Sequence, residues 1–198
     1  MSALGAVILA AGGSTRMGRA KPLLELDGAT LVSRSVSAAR GGGCDPVVVV
    51  IGSTATSMRT ELQSHNVQVV ENADWSLGMG GSIRRGVSAL LDARPDVARI
   101  VLLLCDQPLV SADTIRRLDA QQQASGKPVC VSAYAGTVGP PVVVSGSFLE
   151  SLRTLPDAHG AKSIWVDHAE SVSEMECPEG AIDVDTPDDF AGVVEALR

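Results

Sequence analysis

The stretch "VILAAGGSTRMGRAKPLLEL", Val7 to Leu26, decides how this chain folds. An apolar run of strand character breaks into two glycines, a Ser-Thr pair, two arginines and a lysine before the apolar character resumes. A buried strand that ends in permissive backbone and cationic side chains suits an anion at its carboxyl end. Gly12, Gly13 and Gly18 let the chain curl until successive N–H groups converge, and Arg16 and Lys21 add positive charge. This is the chemistry of a phosphate cradle. Gly13 and Gly18 have the GxxxxG spacing of a Walker A loop, but Arg19-Ala20 follow where Lys-Ser/Thr is required. No GxGxxG dinucleotide fingerprint can be drawn between Leu9 and Gly18.

Along the chain, β-rich apolar runs alternate with segments of helical period. "AVILA", "PVVVVIG", "VQVVE", "RIVLLLC" and "PVCVSAY" read as strands, continuous rather than alternating, as expected when helices cover both faces of a parallel sheet. Helices are expected over Thr30–Arg40, Ala55–Ser64, Gly81–Ala93, Ala112–Ala124 and Pro187–Leu197. Thr30, Ser111 and Thr186 are good N-cap residues, the last followed by Pro187 at the first helical position. After Tyr134 the rhythm changes. "AGTVGPPVVVSGSF" predicts a turn, a short strand led by proline and another helix, and such a strand suits an edge or antiparallel place. The expected fold class is α/β: one three-layer α/β/α sandwich over residues 1–198 with a Rossmann-like, mostly parallel sheet. Ligands of such sheets bind beyond the carboxyl ends of the strands.

The 198 residues are 45% hydrophobic and 20% charged, which describes a globular chain and excludes a disordered one. No apolar run approaches the roughly 18 residues of a membrane span. The start, "MSALGAVILAAGG", lacks the cationic segment of a secretory signal, so a cytoplasmic location is expected, with no membrane partner. Cys44, Cys105, Cys130 and Cys177 form no CxxC pair and are expected to be buried free thiols. The net charge of −7 and the 3% aromatic content argue against nucleic acid as a partner, because polyanion binding relies on basic patches and too few rings are present for a stacking platform.

Three further segments carry chemistry. In "LLLCDQP", Leu102 to Pro108, Asp106 directly follows a strand, so its carboxylate stands at the sheet's carboxyl edge near the cradle. A carboxylate opposite phosphates makes sense with a divalent cation between them, and Mg²⁺ prefers one or two carboxylates plus phosphate oxygens; the alternative is that Asp106 caps the following turn. In "AIDVDTPDDF", Ala181 to Phe190, Asp183 and Asp185 share one side of an extended segment, where either serves structure or a second metal ligand. Asp188 and Asp189 suit a helix N-terminus. In "NADWSLGMGGSIRRG", Asn72 to Gly86, Gly78, Gly80 and Gly81 open a helix and offer more N–H groups, Ser82 can bond a flat polar ligand, and Trp75 either stacks on a ligand or anchors the loop. His65, His159 and His168 lack metal spacing, and no GxSxG marks a serine nucleophile.

"LAAGGSTRMGRAK", "NADWSLGMGGSIRRGV", "LLLCDQPLV" and "DVDTPDDF" together resemble, in order and spacing, the MobA-like NTP transferases. The resemblance spans essentially the whole chain and implies a fold of the nucleotide-diphospho-sugar transferase type and a Mg²⁺-dependent nucleotidyl transfer. It implies that the backbone from Leu9 through Ala10, Ala11, Gly12 and Gly13 contacts base and phosphates, with Gly80 and Ser82 completing the nucleotide site. Arg16 and Lys21 would bind the triphosphate, and Asp106 with Asp185 would hold the metal. LAAG in place of LAGG favours CTP over GTP, and the chain looks most like the molybdopterin cytidylyltransferase branch. The implied partners are CTP or another NTP, a molybdopterin-type acceptor, and a molybdoenzyme or its chaperone. The chain departs from that branch at Gly139-Pro140-Pro141, where Gly-His-Pro is common, which leaves the acceptor open. The competing readings are an NAD(P)H-dependent oxidoreductase of the nicotine-blue type and a non-catalytic cofactor-binding chaperone.

Overall fold

The computed structural model describes residues 3–197; residues 1, 2 and 198 of the expected domain lie outside the described residues. The opening apolar run forms β1 (Ala3–Ala10). Leu4, Ala6, Ile8 and Ala10 pack into one buried cluster and Val7 into another, so the strand is covered on both faces, as a continuous apolar run requires. A ribbon of β2 (Glu25–Leu26) and β3 (Ala29–Thr30) turns on Asp27 and Gly28, whose φ of 53° and 77° suits a tight Asp-Gly hairpin. The chain continues through α1 (Leu31–Gly41), β4 (Val47–Ile51), α2 (Ala55–Leu62), β5 (Gln68–Glu71), α3 (Met79–Ala93), β6 (Val97–Leu104) and α4 (Ala112–Ser125). It closes with β7 (Val129–Tyr134), β8 (Thr137–Ser145), α5 (Phe148–Arg153), β9 (Val172–Glu176) and α6 (Pro187–Ala196).

The expected caps are in place. Thr30 accepts from the Ser33 N–H, while Ser111 with Thr114 and Thr186 with Asp189 form capping boxes, each such cap contributing about 1 kcal/mol to its helix. Helix α3 begins at Met79, two positions before the expected Gly81, and presents Ile83, Val87 and Leu90 to the sheet, each at most 1% exposed. Burial of each such side chain is worth roughly 1.5–3 kcal/mol. Gly86 lets this helix lie close, since a Cβ there would meet Val7 Cγ1 at 2.5 Å.

The seven-stranded sheet has the order β5-β4-β1-β6-β8-β7-β9. Strands β5, β4, β1 and β6 are parallel, β8 runs antiparallel to both β6 and β7, and β9 is parallel to β7. Residues of α1, α2 and α4 cover one face and those of α3 and α5 the other, giving the three-layer α/β/α architecture. Strand β8 takes the antiparallel one of the two expected places, and it is interior, not an edge. The prolines are tolerated because β6 pairs only with Val142–Ser145, and the β7 register slips from Val131↔Val142 to Ser132↔Gly139, leaving Pro140 and Pro141 outside the ladder. Strand β9 escaped the sequence reading, since "VSEME" is short and half polar.

Candidate active site

Strands β1, β4 and β6 lie side by side and end together, so the loops after Ala10, Ile51 and Leu104 meet at one sheet edge. The loop after β1 is held from both sides. Its first two carbonyls are taken by Ser53: the Ser53 N–H donates to Ala11 O at 3.2 Å and its hydroxyl to Gly12 O at 2.7 Å. Its far end is anchored by Met17, buried against Leu24, Leu26, Leu31, Val184 and Val193. Ser14, at a φ of 50°, accepts the Met17 N–H on its carbonyl and the Lys21 N–H on its hydroxyl. Among the described residues, the N–H groups of Gly12, Gly13, Ser14, Thr15 and Arg16 find no acceptor in the protein.

Lys21 reaches across this edge. Its ammonium lies 2.9 Å from Asp106 Oδ2, just beyond β6, and 2.6 Å from Asp185 Oδ1; Arg16 Nη2 lies 2.8 Å from Asp185 Oδ2. Asp185 is brought there because the Val184 N–H donates to Asp106 O at 2.9 Å, tying the 182–185 segment to the end of β6. Hydrogen bonding to Lys21 holds the Asp185 carboxyl below its ordinary range despite the opposing effect of burial. Burial works to lower the Lys21 pKa, but the Asp185 hydrogen bond and the Asp106 charge outweigh it, and the ammonium is held above its usual value. Neighbouring Asp183 shifts upward, through burial first and then the charges of Asp106 and Asp185. Asp106 Oδ1 is buried without a hydrogen-bond partner among the described residues.

A cavity of about 380 Å³ opens beside these groups. Leu9, Ala10, Ala11, Gly12, Lys21, Ser82 and Asp106 line it, along with Trp75 and Met79. Gly13, Arg16 and Asp185 stand off its lining, although the loop and ion pairs connect them to it. Gly13 is covered by Trp75, whose ring carbon would lie 2.7 Å from a Cβ at that position. The Ser82 hydroxyl is positioned by the buried Asn72, which donates to it at 2.9 Å.

Gly80 corrects an expectation. Its N–H is not free for a ligand but donates to Asp157 O at 3.0 Å, and a Cβ there would collide with the backbone carbonyl of Pro156. It is a packing glycine that seats α3 on the 156–159 segment. Arg84 fastens the same joint, donating to Leu155 O and lying 2.6 Å from Asp157 Oδ1.

Sequence reasoning missed Ser53, Asn72 and Gln107. Gln107 is 3% exposed and its amide donates to Pro140 O at 3.1 Å and Gly180 O at 2.8 Å, joining the Gly139-Pro140-Pro141 segment to the approach of Asp185. Its signal was its place directly after Asp106; Asn72 likewise opens the loop that carries Ser82. The four cysteines are free and buried, as expected. No group of three or more metal-ligating side chains occurs among the described residues. Nor, among them, is any helix long and apolar enough to cross a membrane.

The chain is similar to several known proteins. A nicotine blue oxidoreductase of Paenarthrobacter nicotinovorans is 36% identical over 141 residues, 71% of this chain and 66% of that protein. The purine catabolism protein PucB of Bacillus subtilis is 30% identical, with 96% of each chain covered. The molybdenum cofactor cytidylyltransferase of Escherichia coli is 25% identical over 96% of this chain and 95% of that one. The crystal structure of Rv0371c from Mycobacterium tuberculosis H37Rv superposes with a TM-score of 0.81 at 30% identity, covering 98% of both chains, and the same protein has been crystallised in complex with manganese. Residues 6–172 match the MobA-like NTP transferase domain. That match runs from within β1 to the first residue of β9, and the chain therefore belongs to the MobA-like NTP transferase family.

Proposed function

We propose that the chain transfers a nucleoside monophosphate, CMP in preference to others, from an NTP to a phosphorylated acceptor of the molybdopterin type, releasing pyrophosphate. The observation that carries this reading is the row of N–H groups from Gly12 to Arg16, without protein acceptors among the described residues, beside the Lys21 ammonium. Convergent donors and a lysine at a sheet edge suit a polyphosphate. A phosphate oxygen of the acceptor attacks the α-phosphorus in line; the new P–O bond forms as the bond to the β-phosphate oxygen breaks, and the electron pair leaves on pyrophosphate. No protein nucleophile takes part. Cys105 lines the cavity, but burial pushes its thiol well above the ordinary range. Lys21, Arg16 and the loop N–H groups orient the triphosphate and stabilise charge that grows on its oxygens. Ser82 and Ala11 bear on the base.

The residues fit a divalent metal. Asp106 Oδ1 is a buried acceptor without a partner among the described residues, and a pair of carboxylates with phosphate oxygens suits Mg²⁺. Asp106 and Asp185 would hold it, and when bound it neutralises charge on the triphosphate. The manganese complex of Rv0371c supports a divalent ion in this fold. The proposal includes a cytoplasmic location, which four unpaired thiols suit, and delivery of the product to a molybdoenzyme or its chaperone.

A second reading, an NAD(P)H-dependent oxidoreductase, draws on the 36% identity to the nicotine blue enzyme. Thermal-shift measurements with CTP, GTP, UTP, ATP and NADPH, each with and without Mg²⁺, distinguish the readings. Stabilisation by CTP with Mg²⁺ is expected; stabilisation by GTP alone defeats the role given to Ala11, and stabilisation by NADPH alone favours the second reading.

A further inference from the structure

Ser53, two residues beyond β4, does not line the cavity and touches none of its charged groups. It nevertheless holds the first two peptide planes of the loop after β1. The backbone N–H of Ser53 donates to Ala11 O at 3.2 Å, and its hydroxyl donates to Gly12 O at 2.7 Å. Gly52 permits this approach, because a Cβ at that position would meet Ala11 O at 2.6 Å.

A trans peptide is planar, and its C=O and the N–H of the next residue point in opposite directions. Fixing the carbonyl of Ala11 therefore fixes the N–H of Gly12, and fixing the carbonyl of Gly12 fixes the N–H of Gly13. Both N–H groups are turned away from Ser53 and are the first two of the row without protein acceptors. At Gly12 the backbone has the freedom to rotate, and a Cβ there would meet nothing within 4 Å, whereas Gly13 packs under Trp75. The Ser53 N–H fixes the carbonyl of the first plane, and the Ser53 hydroxyl is the hydrogen bond on the Gly12 carbonyl of the second.

We infer that Ser53 is a positioning residue for the phosphate loop: its hydroxyl orients the Gly12–Gly13 peptide so that the Gly13 N–H faces the phosphates before they arrive. This rests on the nucleotide site proposed above. It assigns Ser53 to preorganisation, where a donor already aimed at the charge costs no rearrangement on binding.

The test compares Ser53→Ala and Ser53→Thr with wild type by calorimetry, using inorganic tripolyphosphate, CTP and cytidine as separate probes. Ser53→Ala keeps the backbone bond to Ala11 O, so the loop stays attached while the Gly12–Gly13 plane is released. Its tripolyphosphate and CTP affinities are expected to fall about three- to tenfold, the worth of one hydrogen bond. Cytidine affinity should not change, and Ser53→Thr should restore the wild-type values. In amide NMR spectra, tripolyphosphate should move the Gly13 resonance in wild type and less so in Ser53→Ala. Equal tripolyphosphate affinity in wild type and Ser53→Ala overturns the inference, as does an equal loss for cytidine, which marks a general structural role. Wild-type protein that binds neither tripolyphosphate nor CTP would instead overturn the nucleotide reading, and this inference with it.

Discussion

Lys21 and Asp185, 164 residues apart in sequence, are joined at 2.6 Å, and the same ammonium lies 2.9 Å from Asp106. One side chain from the cradle thus gathers both carboxylates proposed as metal ligands. Replacing it by methionine keeps the length and removes the charge, leaving the two acids without their shared cation. Lys21→Met should lower kcat/KM for nucleotidyl transfer by on the order of 10²–10³, the usual cost of one charge-stabilising donor. Steady-state kinetics check this, and a loss of less than threefold would remove Lys21 from the site.

The same pairing sets a pH dependence of stability. Asp185 has a folded pKa below its ordinary 3.8, so its contribution is fully present above that value and is lost as pH falls through the folded pKa. Lys21 has a folded pKa above its ordinary 10.5, so its contribution is complete below that value and is lost as pH rises beyond it. Urea midpoints measured across pH should fall off less steeply at both ends in Lys21→Met than in wild type.

Asp106 serves the fold through its backbone, and its side chain is the proposed metal ligand. Its carbonyl holds Val184, whereas Oδ1 is buried without a partner among the described residues. Asp106→Ala should therefore abolish turnover while the protein still folds cooperatively, with a circular-dichroism spectrum like that of wild type. An active Asp106→Ala protein would end the metal assignment.

Two glycines of the motifs should respond oppositely. A Cβ at Gly80 would strike the Pro156 carbonyl, so Gly80→Ala should cost roughly 1–3 kcal/mol, or about 2–12 °C in melting temperature for a domain of this size. A Cβ at Gly12 would meet nothing within 4 Å. Gly12→Ala should melt close to wild type and reveal itself in CTP affinity, because the added methyl group stands at the cavity wall.

Much of this was legible because it depends on local pattern. The continuous runs at Val7 and Val101, the caps at Thr30, Ser111 and Thr186, and the glycine-rich break after Ala10 each state their structure in a few residues. What was not legible depends on partners distant in sequence. The prolines of β8 left an edge and an antiparallel place both open because nothing nearby announces that β7 slips its register around them. Gly80 read as an anion donor because its true acceptor, Asp157, lies 77 positions on. Ser53 and Gln107 are ordinary polar residues until the fold brings carbonyls to them.

Nucleotidyl transfer from an NTP is read out by pyrophosphate release from CTP with Mg²⁺ and a molybdopterin acceptor, run beside NADPH oxidation on the same preparation. Acceptor-dependent pyrophosphate release with no NADPH consumption is the predicted result. NADPH oxidation without pyrophosphate release from any NTP would contradict it.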